Sequence, residues 1–162
     1  MKRIAIVLCA LLAASRATAD GRNPTPPPES IALTGAIHDP SPVTREEMMK
    51  LPPIDVTVSQ EADHGPASGN FRGALLWTIV QQAEPVDGPE KNADLKHVIL
   101  VSGADGYTAA LSEGEIDPKL GNKQVIVAYQ KDGAPLEGFQ LVVPGDVHAG
   151  RSVQDIAIIE VK

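Results

Sequence analysis

Short apolar runs of two-residue period, each cut off by proline or glycine, set the limits on what this chain can fold into. Residues 54–59 (Ile-Asp-Val-Thr-Val-Ser) alternate strictly and place Ile54, Val56 and Val58 on one face of a strand. Residues 31–37, 95–101, 107–111, 125–129, 139–143 and 153–161 read as further strands. The runs at 95–101 and 125–129 are apolar enough to lie inside a sheet. Helical signals are few. Thr44 and Glu47 have the spacing of a capping box and start a short helix that Leu51-Pro52-Pro53 stops. Residues 74–84 carry Leu75, Leu76, Ile79, Val80 and Ala83 as an apolar stripe that Pro85 closes. Ser112-Glu113-Gly114-Glu115 reads as a single helical turn, Asp132-Gly133 as a hairpin turn, and residues 60–70 as a polar loop. The expected fold class is α+β, a mixed β-sheet domain around one sheet system.

Three segments follow from composition. Residues 1–19 combine a basic start (Lys2, Arg3), an apolar run of about eleven residues and an Ala17-Thr18-Ala19 cleavage site, the pattern of a secretory signal. That run is well short of the roughly 20 residues needed to span a bilayer. Residues 20–30 form a proline-rich leader, and residues 31–162 the folded domain. The expected location is therefore periplasmic or secreted. Without Lys2, Arg3 and Arg16, the 143 residues from Asp20 onward keep 11 of the 14 basic side chains against all 21 acidic ones, a net charge of −10. Such a balance argues against nucleic acid and anionic membranes as partners. The single cysteine, Cys9, lies in the signal, so the exported domain has no thiol for a disulfide, a metal or catalysis.

Signatures of common catalytic sites are absent: no phosphate loop, dinucleotide fingerprint, zinc-protease helix or calcium loop occurs. Ser68, in Gly65-Pro66-Ala67-Ser68-Gly69, is a turn serine rather than a nucleophile. His38, His64, His97 and His148 lack partners at metal-site spacing, so neither a metal nor a catalytic residue is expected. His97 falls in a strand pattern and takes a surface or hydrogen-bonded core role. Trp77, on the helical stripe, reads as a core or rim residue. The glycine-flanked run 145–152 (Gly-Asp-Val-His-Ala-Gly-Arg-Ser) exposes backbone N–H groups beside the planar donor fork of Arg151. A loop of this kind can hold an anionic oxygen group, with Arg151, Ser152 and His148 as its contacts; the other reading, which the excess of carboxylates favours, is a solvated loop with Arg151 paired to some of them.

Taken in order, several of these runs resemble the sulfite oxidase-type oxidoreductase molybdopterin-binding domain. The resemblance rests on Leu33-Thr34-Gly35, the helix begun by Thr44, and Phe71-Arg72-Gly73-Ala74-Leu75-Leu76-Trp77. It continues through Asp105-Gly106-Tyr107, Asp132-Gly133-Ala134-Pro135-Leu136, Val142-Val143-Pro144-Gly145 and Arg151-Ser152-Val153, covering nearly all of 31–161. It implies a mixed α+β fold of that type, reduced in size, and a pterin-held molybdenum completed by one protein cysteine.

That cysteine belongs in loop 60–70, which has none. If Gly69-Asn70-Phe71-Arg72 is matched to the family's Gly-Asn-x-Arg, Ala67 takes the ligand position, with His64 and Ser68 nearby. Alanine cannot ligate a metal, and histidine or serine would be a harder donor set. The expectation is thus an exported, non-catalytic or altered binding or accessory module. Its contacts would be Arg151, Ser152, His148, Arg72 and His64, its partner a small anion or an exported protein, and it would have no resident cofactor. The alternative is a molybdopterin-dependent oxidoreductase with non-cysteine coordination.

Overall fold

The computed structural model describes residues 27–61 and 68–162. The signal, most of the leader, His64 and Ala67 lie outside the described residues. Strand β1 (Ser30–Gly35) is followed by β2 (Val43–Thr44), helix α1 (Arg45–Lys50), β3 (Pro53–Val58), β4 (Gly69–Leu75) and helix α2 (Leu76–Gln82). A 3-10 turn at Ala93–Lys96 leads to β5 (Val98–Gly103) and β6 (Thr108–Ser112), then helix α3 (Glu113–Ile116). Strands β7 (Ile126–Lys131) and β8 (Ala134–Val142), a second 3-10 turn at Ala149–Arg151 and β9 (Ile156–Val161) complete the chain.

The fold is α+β, but it has two sheets rather than the single system the strand pattern suggested. One has the order β2-β1-β9-β5-β6, the other β3-β4-β7-β8. Each adjacent pair is antiparallel except β1 and β9, which run parallel from Ala32↔Ile158 to Gly35↔Val161. The main core includes Ile31, Leu33, Ile99, Val101, Ile159 and Val161 from the larger sheet, Val127, Phe139 and Leu141 from the smaller, and Leu76, Ile79 and Val80 of α2. Trp77 packs half-buried against it. A second cluster, on Val58, Phe71, Ile126, Ala128 and Val142, uses the other face of the smaller sheet. Strand β7 serves both clusters, which is why residues 125–129 are apolar without alternation.

Local signals fix several boundaries. The Thr44 hydroxyl accepts from Glu47 N (3.3 Å) while Glu47 Oε2 accepts from Thr44 N (2.8 Å), so the expected capping box is formed. Ser112 accepts from Glu115 N and starts α3. Asp132 and Gly133, with φ of 50° and 82°, turn β7 into β8. Several boundaries differ from the sequence reading. The strand read at 95–101 is Val98–Gly103, because Ala93–Lys96 form a 3-10 turn, and the strand read at 153–161 begins at Ile156. The loop ends sooner, because Gly69 and Asn70 already belong to β4, and the helix begins at Leu76 instead of Ala74. No side chain caps α2; its first N–H donates to Val125 O (2.9 Å), a contact supplied from far along the chain. Leu75 consequently packs with the second cluster rather than on the helical stripe.

Two glycines permit close backbone contact. Gly73 sits at a bulge in β4, where a Cβ would lie 2.1 Å from Val127 O. Gly35 has φ of 95°, and its Cβ would lie 2.0 Å from Val161 O. Gly35→Ala therefore combines left-handed strain with a backbone collision across the β1–β9 pair. We expect a loss of about 2 kcal/mol or more, read as a lower urea midpoint.

Candidate functional site

The loop after β3 and the loop after β8 meet, although these strands are the two edges of the smaller sheet. Glu61 N donates to Val147 O (3.0 Å) and Ala149 N to Glu61 O (2.9 Å), so Glu61 and His148 form a parallel bridge. Buried Gln60 donates from Nε2 to Val143 O (2.9 Å), and its backbone N and O both bond the Ser68 hydroxyl. Thr57, Glu61, Gly145, Asp146 and Val147 are among the residues lining a cleft of about 520 Å³ here. Ser68 is thus a loop-closing serine, as its turn context suggested.

The sequence candidates fall into two groups. Arg151, Ser152 and His148 share this region. Arg72 sits on β4, bound to Asp55 of β3 at 3.0 Å. His148 is exposed, with Nδ1 3.7 Å from Glu61 Oε2. Ser152 accepts from Gln140 Nε2 (2.8 Å) and donates to Leu141 O (3.2 Å), so its hydroxyl ties the loop to β8.

Arg151 is the hub of an ion-pair ring. Its Nε and NH2 donate to the two oxygens of Asp146 (2.8 and 2.7 Å), and NH1 reaches both oxygens of Glu115 at 3.2 Å. Lys123 closes the ring, 3.1 Å from Glu115 and 3.0 Å from Asp146. Two cations and two carboxylates, all at most about one-third exposed, neutralise one another. Arg151 holds the Asp146 carboxyl below its usual range, with a smaller lowering from Lys123, and Asp146 raises the already high pKa of the guanidinium. The tyrosine of Asp105-Gly106-Tyr107 clamps the same loop by donating its hydroxyl to Gly150 O.

Lys123, Glu115 and Glu61 were not among the sequence candidates. Glu115 was read only as part of a helical turn, and nothing in the local pattern marks its pairing with a residue 36 positions away.

Helix α3 also contributes to a second polar cluster. Buried His97 and Glu113 meet at 2.6 Å (Nδ1 to Oε2), Gln81 donates to Glu113 Oε1 (2.9 Å), and Asp87 Oδ1 lies 3.6 Å from His97 Nε2. His97 therefore has the hydrogen-bonded core role expected as one option, but it caps the 3-10 turn and precedes β5 rather than lying in a strand. Burial pushes the Glu113 carboxyl up, against the lowering effect of its bond to His97. Among the described residues, no group of three histidine, cysteine or carboxylate side chains could hold a metal, and no helix is long and apolar enough to cross a membrane.

No family model and no curated protein matches the chain. Among known structures, the fold is similar to that of the sulfane dehydrogenase SoxCD from Paracoccus pantotrophus, with a TM-score of 0.62 and 16% identity over 82% of this chain. The match covers 37% of that protein's chain, so this chain spans little more than a third of its length. At this identity the likeness is one of architecture alone.

The two clusters predict opposite responses to pH. A depressed Asp146 pKa stabilises the fold above the ordinary carboxylate range, and that contribution is lost as pH falls below about 4. Asp146→Asn should cost about 1–3 kcal/mol at neutral pH and reduce acid sensitivity, as measured by urea unfolding across pH. A raised Glu113 pKa works the other way, its contribution being full below the ordinary glutamate value and lost as pH rises from there through the raised one. Glu113→Gln keeps an acceptor for Gln81 and removes the titrating proton. Its unfolding midpoint should change less between mildly acidic and neutral pH than that of the unmodified protein.

Proposed function

We propose that this chain is an exported binding or accessory module, a reduced sulfite oxidase-type molybdopterin domain that has given up the metal chemistry. The observation that carries this reading is the ion-pair ring. A pterin phosphate needs free cations, yet the Arg151 fork is filled by Asp146 and Glu115, and Lys123 is held by the same carboxylates. Arg72 is likewise engaged by Asp55. The donor set fails as well: the sequence's one cysteine is Cys9, far from the loop where the resemblance puts the metal ligand. These residues do not fit a molybdenum–pterin group.

The same pairing disfavours a small anion as ligand. It would have to displace two carboxylates from Arg151, against a net charge of −10 beyond the signal. An exported protein partner fits better. The rim of the 520 Å³ cleft offers His148 and Val147, the latter 70% exposed, on a loop held in shape by Tyr107, Ser152 and Arg151. His64, within residues 60–70 of the sequence, is the remaining candidate contact.

Molybdenum and pterin measured per chain test this reading, using protein purified from a molybdenum-replete native host. Neither should be present above trace levels in a folded sample. Near-stoichiometric metal with oxidisable pterin would overturn the module reading and favour an oxidoreductase with non-cysteine coordination. Pterin without metal would overturn it in favour of cofactor carriage.

A further inference from the structure

The connection between α2 and the 3-10 turn at Ala93–Lys96 is fixed by backbone at its start. There Glu84 O accepts from His38 N, and Val86 N donates to Ala36 O, each at 2.9 Å. Further along, side chains hold it: Glu90 pairs with Lys96, and Asp87 Oδ1 lies 3.6 Å from His97 Nε2. His97 itself cannot retreat. Its N–H donates to Asp94 O (3.2 Å), its carbonyl accepts from Glu113 N (3.0 Å), and its ring is buried. The imidazole therefore stands between two carboxylates, Glu113 of α3 at Nδ1 and Asp87 of the connection at Nε2. From α2 the polar neighbour is Gln81, which donates to the other oxygen of Glu113 and does not titrate. The cations closest in chain and register are committed elsewhere, Lys96 to Glu90 and Lys162 to Glu160.

Proton counting makes the two contacts of the ring unequal. Two bare acceptors do not approach to 2.6 Å, so a proton lies between Nδ1 and Glu113 Oε2. Attraction to Asp87 needs a further proton, on Nε2. With both present, as imidazolium with carboxylate or as neutral ring with carboxylic acid, each contact has its donor. When one is lost, the buried contact keeps the other, because Glu113 is shielded from water whereas Asp87 is 57% exposed and can turn into solvent. Nε2 then presents a lone pair to a carboxylate, and Glu113 and Asp87 repel across an uncharged ring.

We propose that His97 and Glu113 form a proton-operated clasp on this connection. With both protons in place the ring holds Asp87 and keeps residues 87–92 against the domain; with one removed it lets them go. Histidine is the side chain that exchanges a proton near neutral pH, so the clasp opens as pH rises through that range and closes as it falls. None of the cleft residues takes part, so this inference and the accessory-module reading stand or fall separately.

Amide 15N relaxation of the purified protein at about pH 5 and about pH 8 tests the proposal, with the His97 ring followed in the same titration. Order parameters for residues 87–92 should fall from about 0.85 at the lower pH toward about 0.6 at the higher, in step with the ring, while β1 and β9 stay rigid at both. Asp87→Ala removes the group that is held, and the segment should be mobile at both pH values in a chain that folds normally. Glu113→Gln should do the opposite. Its carboxamide oxygen still accepts from Gln81 while its N–H donates to Nδ1, so a neutral ring keeps its proton on Nε2 and the segment stays ordered throughout. Order parameters that do not change with pH in the unmodified protein, or a pH response that survives either substitution, overturn the proposal.

Discussion

The parallel pairing of β1 with β9 is the contact on which the rest of the molecule depends. It joins the first and last strands of the domain, and β9 also pairs with β5, so the larger sheet cannot assemble until the C-terminal strand is in place. Parallel neighbours need a long connection between them, and here nearly the whole domain supplies it. The smaller sheet and all three helices lie in sequence between the two strands. Residues 145–152 run directly into β9, so the position of the cleft loop is inherited from this pairing. The backbones approach closely enough at Gly35 that the pairing also dictates a residue type.

The second organising feature is how an acidic chain spends its few cations. Arg151 and Lys123 are drawn into a ring with Asp146 and Glu115, and that ring joins the loop after β8 to α3. The same four-residue helix carries Glu113 into the buried pair with His97. One short turn of helix thus links two polar clusters of opposite pH response, with Ser112 capping its start. Internally neutralised cations stiffen a loop but are poor ligands for an incoming anion.

Much of the fold was legible because its signals are local. The capping box at Thr44, the Asp132-Gly133 turn and the alternation of residues 54–59 each depend on neighbours a few positions apart, and each formed as read. The N-terminal edge of α2 was not legible, because its first donor is satisfied by Val125 rather than by a capping side chain. Strand β4 was hidden for a related reason: its bulge at Gly73 breaks the two-residue period, and Leu75 looks helical in sequence while packing as a strand residue. For the site, the importance of loop 145–152 and its Arg151 could be read from glycine spacing and the planar donor fork. The excess of carboxylates also pointed to Arg151 being paired, but which of them fill the fork could not be read, since Glu115 lies 36 residues away.

The amino-acid sequence by itself therefore determined most of the elements, the acidic balance and the absence of a thiol after Cys9, because composition and short-range periodicity are properties of neighbouring residues. Tertiary structure alone decided that the strands divide into two sheets, that the first and last of them run parallel, and that the loop cations neutralise carboxylates of this same chain. Those outcomes depend on which distant segments meet, and the energy of an ion pair or a backbone hydrogen bond is set by a distance that no local pattern encodes.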